Sequence, residues 1–256
     1  MANRINIDES QIDNTIWRYT NFIKFVDLLE TGNLFFANPK KYDDKYEGRH
    51  NALGQDDHYD LVDGNLVEAK TPYDTRSDTN SAVIKGFFNH NLTKTLSASG
   101  IQCWTMKDND SNVMWHTYAQ LSYAVAVIST PRKLVDSLKL EECHQLTYGR
   151  VRYIDYNNEK LPIHSVVYPL FHKRKHFSEE DEFRLCITRK DAGKYIKSEN
   201  GFSIAVDVNE MIDGVIVSPK SPDWFVSLCK TLCRKRGLDV DISPSELFKP
   251  SSNLES

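Results

Sequence analysis

The first part of the chain alternates between short apolar runs and helical spacing. Residues 16–20 form an apolar run that predicts a short strand. A helix should follow over about residues 21–30, because apolar residues recur there three and four positions apart and Gly32 supplies a stop. The run Leu34-Phe-Phe-Ala37 predicts a second strand, which ends at Asn38-Pro39.

A polar stretch interrupts this pattern from about residue 48 to residue 80. It is rich in Asp, Asn, Gly and Thr and poor in branched apolar residues, so we expect an insertion or lid rather than core. The periodicity then predicts a helix from Ser81 to about Leu96 and a strand over 101–106. The loop 107–112 should open a short helix.

The second half of the chain contains more short apolar runs than helical stretches. Two further helices are expected to begin at Thr130-Pro131 and at Ser221-Pro222, where a hydroxyl cap precedes a proline of the first turn. Strands and helices follow one another without a regular β-α-β rhythm. We therefore predict an α+β fold with mixed, mainly antiparallel sheets and flanking helices, in a single domain spanning residues 1–256. The predicted strands are 123–129, 145–154, 183–188, 202–207, 214–218 and 239–242.

Composition is that of an ordinary soluble protein. The chain has 256 residues, of which 40% are hydrophobic and 27% charged, and a formal net charge of −4 argues against wholesale coating of nucleic acid. The N-terminus is polar and no stretch approaches a membrane span, so we expect a cytoplasmic protein without membrane association. Cys229 and Cys233 share a helical face without nearby partner ligands, so no metal site is expected.

The most unusual charged pattern is Glu180-x-Glu182-x-Arg184, directly before an apolar strand. If the strand extends back to Glu180, the three side chains lie on one face of it. Two adjacent carboxylates raise each other's pKa, and an arginine beside them lowers both. A charged hairpin turn would show the same residues, and both interpretations stay open at this point.

Four blocks of this sequence resemble the bacterial family of unknown function DUF2971. The resemblance spans roughly residues 16–248, and two departures from the family pattern occur: Asp43-Asp44-Lys45 replaces an Asn-Asp-Pro turn, and a glycine is missing near Tyr123. The matching blocks are Trp17-Arg-Tyr-Thr20, Leu34 to Gly48, Cys103-Trp-Thr105 with Met114-Trp-His-Thr-Tyr-Ala119, and Phe177-x-x-Glu180-x-Glu182-x-Arg184.

The order of these blocks is also similar to the layout of a diverged ADP-ribosyltransferase. That resemblance implies that Arg18 binds a pyrophosphate or ribose, that Tyr19 or Tyr42 stacks on nicotinamide, and that Thr105 supplies a hydroxyl. It makes Glu182 the catalytic carboxylate, with Glu180 orienting the acceptor. Trp115 and Arg184 are further candidates for cofactor binding, although the apolar neighbours of Trp115 also suit core packing.

The chemistry of NAD cleavage requires these residue types. Breaking the nicotinamide–ribose bond passes through an oxocarbenium-like species that a carboxylate can stabilise. Arginine binds phosphate in a bidentate manner, an aromatic face holds the nicotinamide ring, and no metal is required. The resemblance thus implies an enzyme that uses NAD as substrate and transfers ADP-ribose to a protein, a nucleic acid or water.

Two alternatives belong to other functional classes. The first is a non-catalytic binding module, or an effector module of a bacterial defence system, that keeps the fold without turnover. The second is a metal-dependent nuclease using Asp43, Asp44, Glu180 and Glu182, although the sequence lacks the spacing of common nuclease cores. His116 has no nucleophile beside it in a recognised arrangement and is expected to be structural. The oligomeric state and the acceptor are left open by the sequence.

Overall fold

The strands account for most of the regular structure in this computed structural model. It describes residues 2–42, 44, 59–62, 65–68, 94–159, 167–189 and 200–249. Within these ranges the strands are β1 (Asn3–Ile5), β2 (Ile16–Asn21), β3 (Asn33–Ala37), β4 (Tyr59–Val62), β5 (Asn65–Glu68), β6 (Ser99–Thr105), β7 (Ala124–Ser129), β8 (His144–Arg150), β9 (Arg152–Ile154), β10 (His172–Arg174), β11 (Glu182–Arg189), β12 (Gly201–Ala205), β13 (Gly214–Val217) and β14 (Asp241–Pro244).

The helices are short and lie between the strands. The longest α-helices are Phe22–Thr31 and Asp223–Lys235, and residues 94–98 are also helical. The remaining helical segments are the α-helices Asn112–Met114, Pro131–Asp136 and Val208–Met211, the π-helix Trp115–Ala119, and the 3-10 segments Glu9–Gln11, Pro39–Lys41, Tyr168–Phe171 and Lys175–Glu180. No helix in the part of the chain that the structure describes is long and apolar enough to cross a membrane.

One large sheet joins ten of the strands. Its main path runs β1-β8-β11-β6-β2-β7-β13-β14, and β3 and β12 lie off this path. The β1–β8 and β13–β14 pairs are parallel, whereas the other pairs in this sheet are antiparallel. The predicted α+β class with mixed, mainly antiparallel sheets and flanking helices is therefore confirmed.

The sheet divides into two branches at β6. One edge of β6 pairs with β11 over seven residues. The other edge is bridged to β2 at Thr105 and to β3 at Ile101, and each of these strands pairs with β6 at that one row. The path through β2 continues to β7, β13 and β14, while β3 continues to β12. Because both branches leave the same edge, they diverge beside the middle of β6, next to Cys103.

The branches and their helices enclose the main apolar core. The helix Phe22–Thr31 begins where the Asn21 side chain accepts the backbone N–H of Lys24 at 2.9 Å, and it ends at Gly32, whose φ is 60°. Cys229 and Cys233 face this core from the helix Asp223–Lys235, and burial raises the pKa of both thiols. Their helical spacing therefore reflects packing, as expected for reduced, buried cysteines.

Sequence periodicity located the long elements and missed several short ones, including β1 and β10. The predicted strand 145–154 is two strands, because the chain leaves the sheet at Val151 and β9 pairs with β10 instead. The polar N-terminal residues show no strand pattern, yet Asn3–Ile5 forms an edge strand parallel to β8. A strand of three residues is too short to show an alternating pattern, so neither β1 nor β10 could be predicted.

The predicted polar insertion at 48–80 contains one antiparallel hairpin, β4 with β5. The remainder of the insertion lies outside the described residues, as does most of the helix predicted from Ser81. Its role as a lid remains a prediction.

Candidate active site

Glu182 is the first residue of β11, and the strand does not reach back to Glu180. Glu180 ends a 3-10 segment, and Asp181 between them has a left-handed φ of 39°. The expectation that Glu180, Glu182 and Arg184 share one strand face is therefore wrong for Glu180. The left-handed residue turns the chain, because it interrupts the alternation that a continuous strand would impose. Glu182 and Arg184 do share one face, since both belong to the strand.

Glu182 and Arg184 form a bidentate ion pair inside the protein. Arg184 Nε lies 2.6 Å from Glu182 Oε1, and Arg184 Nη2 lies 2.9 Å from Oε2. The Arg184 side chain is 0% exposed, and the Glu182 side chain is 4% exposed. Arg184 Nη1 donates to the carbonyl of Leu170, so several bonds fix the guanidinium.

Lys173 of β10 joins the two glutamates. Its Nζ lies 2.6 Å from Glu180 Oε2 and 3.0 Å from Glu182 Oε2, and its side chain is 9% exposed. In the sequence Lys173 is one member of a basic run, which is usually solvated. Lys173 is buried because β10 pairs in parallel with β9. The local sequence contains no pattern that predicts this pairing.

Glu180 has a second partner at the surface. The hydroxyl of Tyr118 donates to Glu180 Oε1 at 2.7 Å, while the Tyr118 residue as a whole is 47% exposed. Burial raises the pKa of the Tyr118 hydroxyl, with the Glu180 charge acting in the same direction. Tyr118 therefore stays a protonated donor and holds Glu180 in place beside Lys173.

The charge state of Glu182 follows from two opposing effects. Burial raises the pKa of its carboxyl, but Arg184 and Lys173 outweigh that effect and hold the pKa well below its usual range. Glu182 is thus an ionised carboxylate at neutral pH, although it is almost fully buried. Its backbone N–H donates to the hydroxyl of Tyr153 at 2.9 Å, which fixes the start of the strand.

Thr105 and Cys103 face Glu182 and Arg184 from the neighbouring strand. The register of β6 with β11 places Thr105 opposite Glu182 and Cys103 opposite Arg184. Thr105 is 2% exposed. Thr105 and Glu182, two residues that the resemblance assigns to one site, are therefore neighbours on adjacent strands.

Arg18 of β2 lies where the two branches of the sheet diverge. Its Nη1 is buried and has no hydrogen-bond partner among the described residues, and it forms no ion pair with any of them. Burial lowers the pKa of the guanidinium to about 10, opposed by the electrostatic influence of Cys103 and Tyr42. Arg18 does not contact Glu182 directly. Cys103 is the common neighbour, because the Glu182 charge also acts on the pKa of its thiol.

Tyr42 is the predicted aromatic residue that lies in this region. Its hydroxyl is 3.7 Å from Cys103 Sγ, and Arg184 Cζ lies 5.9 Å from the centre of its ring. The residue is half-buried and directly follows the 3-10 segment Pro39–Lys41. Tyr42 therefore connects the surroundings of Arg18 with those of Arg184.

Tyr19 and Trp115 lie in a separate apolar cluster. Their rings pack edge to face with centres 4.9 Å apart, and Trp115 is 0% exposed. The Tyr19 hydroxyl accepts the backbone N–H of Ser111 at 2.8 Å, and Trp115 Nε1 donates to Asp110 at 3.0 Å. Side chains alternate along β2, so Tyr19 also leaves the strand on the opposite face from Arg18. These contacts do not support ligand stacking by either ring, and those two roles stay predictions.

A metal centre at the glutamates gains no support from the described residues. Lys173 occupies the position between Glu180 and Glu182 that a metal ion would need. Asp44 pairs with Arg174 at 3.2 Å, and Asp43 lies outside the described residues. The trio in the described ranges that could hold a metal is elsewhere, at the turn into β8, and consists of Glu141, Cys143 and His144.

His116 Nδ1 bonds to the Asn112 carbonyl at 2.8 Å, within its own helical segment.

A cavity of about 730 Å³ lies beside this site. It is lined by residues 106–113 together with Asn14, Thr15, Arg150 and Asp181. Glu182, Arg18 and Tyr42 are absent from the lining. Asp181 pairs with Arg150, which also lines the cavity, whereas Glu182 pairs with Arg184, so the cavity lies next to the carboxylate cluster rather than around it.

Comparison with known proteins gives one distant likeness. No family model matches this chain, and no curated protein matches it. A solved structure of Thermus sp. 2.9 DarT in complex with NAD+ is similar over 91% of this chain and 96% of that chain, with a TM-score of 0.39 and 5% sequence identity. A likeness of this degree carries no argument about function. The resemblance to DUF2971 remains a prediction.

Proposed function

We propose that this protein is an ADP-ribosyltransferase-like enzyme that cleaves the nicotinamide–ribose bond of NAD. The observation that carries the proposal is that two charged groups approach the same thiol. Glu182, an ionised and buried carboxylate, and Arg18, a half-buried arginine whose Nη1 has no hydrogen-bond partner among the described residues, are connected through Cys103 and Tyr42 where the sheet divides.

Glu182 has the charge and the rigidity that the reaction needs. As the bond from ribose C1′ to nicotinamide breaks, its electron pair leaves with the ring and nicotinamide departs as a neutral molecule. Positive charge then develops on the ribose, and a fixed carboxylate beside the 2′-hydroxyl stabilises it. Addition of the acceptor to C1′ and loss of its proton complete the transfer, with water as acceptor in simple hydrolysis.

Arg18 has the features of an anion-binding residue. A buried donor without a partner is costly, so its retention favours a role that the bound state completes. A phosphate oxygen would accept from Nη1 and neutralise the guanidinium, and arginine is well suited to such pairs. We assign the NAD pyrophosphate or an adjoining ribose to Arg18, and the nicotinamide face to Tyr42.

The ion pairs of Glu182 also favour a second candidate function. Both of its oxygens take part in ion pairs, which is the arrangement expected of a structural cluster. A non-catalytic module, such as an effector module in bacterial defence, would keep NAD binding at Arg18 and show no turnover. Ligand binding without nicotinamide release would favour that module over the enzyme.

The test uses NAD labelled in either the nicotinamide or the adenylate half. Purified protein is incubated with each form, alone and with separate protein and nucleic-acid fractions of a cell lysate. The enzyme releases free nicotinamide in all samples, and the adenylate label identifies the acceptor by the fraction it joins. Absence of nicotinamide release in every sample would refute the proposed activity.

A matched pair of variants tests the binding role of Arg18. Arg18→Met should lose NAD affinity, whereas Arg132→Met should not, because Arg132 lies on the surface and pairs with Asp13 at 2.7 Å. Equal affinities for NAD in the two variants would rule out Arg18 as the phosphate-binding residue.

A further inference from the structure

We propose that Lys173 is a positioning residue for Glu182, and that Glu180 acts by anchoring Lys173 rather than by orienting an acceptor. This inference rests on the proposed function, whose site it extends. Lys173 belongs to a basic run in the sequence, and such runs are usually solvated, so the sequence pattern does not predict this role.

The distances show how Lys173 is shared between the two carboxylates. Its Nζ is closer to Glu180, at 2.6 Å, than to Glu182, at 3.0 Å. Glu180 is itself fixed by the hydroxyl of Tyr118 at 2.7 Å. Lys173 therefore keeps a firm anchor on Glu180 when a ligand competes for Glu182.

Glu182 can exchange one of its donors for such a ligand. An ionised carboxylate has about four lone-pair positions. Arg184 and Lys173 make three contacts with it here, and the thiol of Cys103, a weak donor, makes a further one. A ribose hydroxyl can replace the Cys103 thiol, or replace Lys173 at Oε2 while Glu180 retains the ammonium. The carboxylate keeps its orientation in both cases, because Arg184 Nε remains on Oε1.

Charge balance gives a second reason for a cation at this position. Glu180 and Glu182 would repel each other in a site of low polarity if no cation lay between them. Lys173 with Arg184 brings the four-residue cluster to neutrality, and burial of the lysine side chain strengthens each contact. Replacing Lys173 should thus disturb the position of Glu182 without removing any group that touches the substrate.

The experiment measures kcat and KM for nicotinamide release in five variants. They are Lys173→Met, Lys173→Arg, Glu180→Gln, the double variant Lys173→Met with Glu180→Gln, and the control Lys175→Met, whose lysine is 60% exposed and pairs with Glu159. The double variant removes one charge of each sign, and it provides a folded protein if Lys173→Met alone is too unstable to purify.

Lys173→Met should lower kcat on the order of 100-fold with little change in KM, because a small displacement of Glu182 misaligns the reaction. Lys173→Arg should recover part of this loss. Glu180→Gln should reduce hydrolysis and transfer together, and the double variant should be no worse than Lys173→Met, since both changes act through one contact. Unchanged kcat in Lys173→Met, or loss of transfer alone in Glu180→Gln, would overturn the inference.

A second readout separates this inference from the proposed activity. The groups facing Glu182 are Arg184, Lys173, Glu180, Cys103, Tyr153 and Tyr118. Loss of Lys173 removes one of the two cations that keep Glu182 ionised, so acid unfolding of Lys173→Met should begin on the order of one pH unit higher than in Lys175→Met. If the acid-unfolding midpoint of Lys173→Met is shifted but the wild-type protein does not cleave NAD, the proposed activity is refuted. The role of Lys173 in positioning Glu182 is then retained. Equal midpoints would overturn the positioning role itself.

Discussion

Glu182 stands directly opposite Thr105 in the antiparallel register of β11 with β6. On the other edge of β6, Thr105 stands opposite Trp17 of β2, and this residue pair joins β2 to β6. Neighbouring strands lie about 4.8 Å apart, so the backbone of Glu182 and that of Trp17 are separated by about 10 Å. Arg18 follows Trp17 immediately. This register brings the backbones of the predicted carboxylate and the predicted arginine within the length of one dinucleotide, from segments more than 160 positions apart in the sequence. The Arg18 side chain leaves β2 on the opposite face from Trp17, because side chains alternate along a strand.

Arg18→Met should stabilise the ligand-free protein while it removes NAD affinity. The buried Nη1 has no hydrogen-bond partner in the described part of the chain, so an apolar side chain of similar length relieves a desolvation cost of about 1–3 kcal/mol. Chemical denaturation of both proteins without NAD measures the difference in the free energy of unfolding. A variant less stable than wild type would mean that Arg18 serves the fold and not a ligand.

Arg184→Met should destabilise the protein severely. It leaves the buried carboxylate of Glu182 with Lys173 as its remaining cation, and breaking a buried ion pair costs about 3–5 kcal/mol. Arg132→Met, which breaks a surface pair, should cost no more than about 1 kcal/mol. Urea unfolding at neutral pH compares the two, and similar losses in both variants would contradict the assigned burial of the Arg184 pair.

His172 should make stability depend on pH below neutrality. Its Nδ1–H donates to the Tyr168 carbonyl at 3.0 Å, and burial lowers its pKa to about 4. Between pH 4 and about 6.5 the unfolded chain binds a proton that the folded protein does not, so the free energy of unfolding falls as pH falls through this window. The fully buried ring should account for about 3 kcal/mol of that loss, from 2.5 pH units at about 1.36 kcal/mol each.

Two variants isolate this effect. His172→Asn keeps a donor near the Tyr168 carbonyl and removes the titrating ring, so its stability curve should be flatter between pH 4 and 6.5. His176→Asn, at an exposed position, should leave the slope of wild type unchanged. The same slope in all three proteins would show that His172 does not control the acid side of the stability curve.

Gly149→Ala should disrupt the edge of the sheet at β1. A Cβ at this position would lie 1.7 Å from the carbonyl oxygen of Ile5, so one backbone must move. We expect a loss of about 1–3 kcal/mol, with earlier hydrogen exchange of the β1 amides. Gly214→Ala is the control, because the nearest atom to its Cβ would be at 3.5 Å. Equal stability of the two variants would contradict the close approach of β1 to β8.

The sequence predicted those parts of the fold that are long and periodic. The helix Phe22–Thr31 and the buried strands β7 and β11 have strong apolar patterns and clear caps or stops, so their positions were predicted closely. β1 and β10 are three residues long, and their parallel pairing depends on distant segments. Local periodicity contains no information on such pairing.

The candidate site was predictable in its residue types and not in its contacts. The Glu-x-Glu-x-Arg spacing singled out Glu182 and Arg184, whose pairing follows from strand alternation. The role of Lys173 depends on β10, and the packing of Trp115 depends on Tyr19 of the distant strand β2. Nη1 of Arg18 has no hydrogen-bond partner among the residues that the structure describes, and its position depends on the division of the sheet at β6, which no local pattern specifies.

The most direct test compares NAD turnover in Glu182→Gln with that in Glu179→Gln. Glu179 is 79% exposed and serves as the neighbouring control. Glu182→Gln keeps the size of the side chain and removes its charge, so kcat for nicotinamide release should fall on the order of 100-fold or more, with little change in NAD affinity. Glu179→Gln should match wild type. A Glu182→Gln protein that is folded, binds NAD and releases nicotinamide at the wild-type rate would contradict the assignment of Glu182 as the catalytic carboxylate.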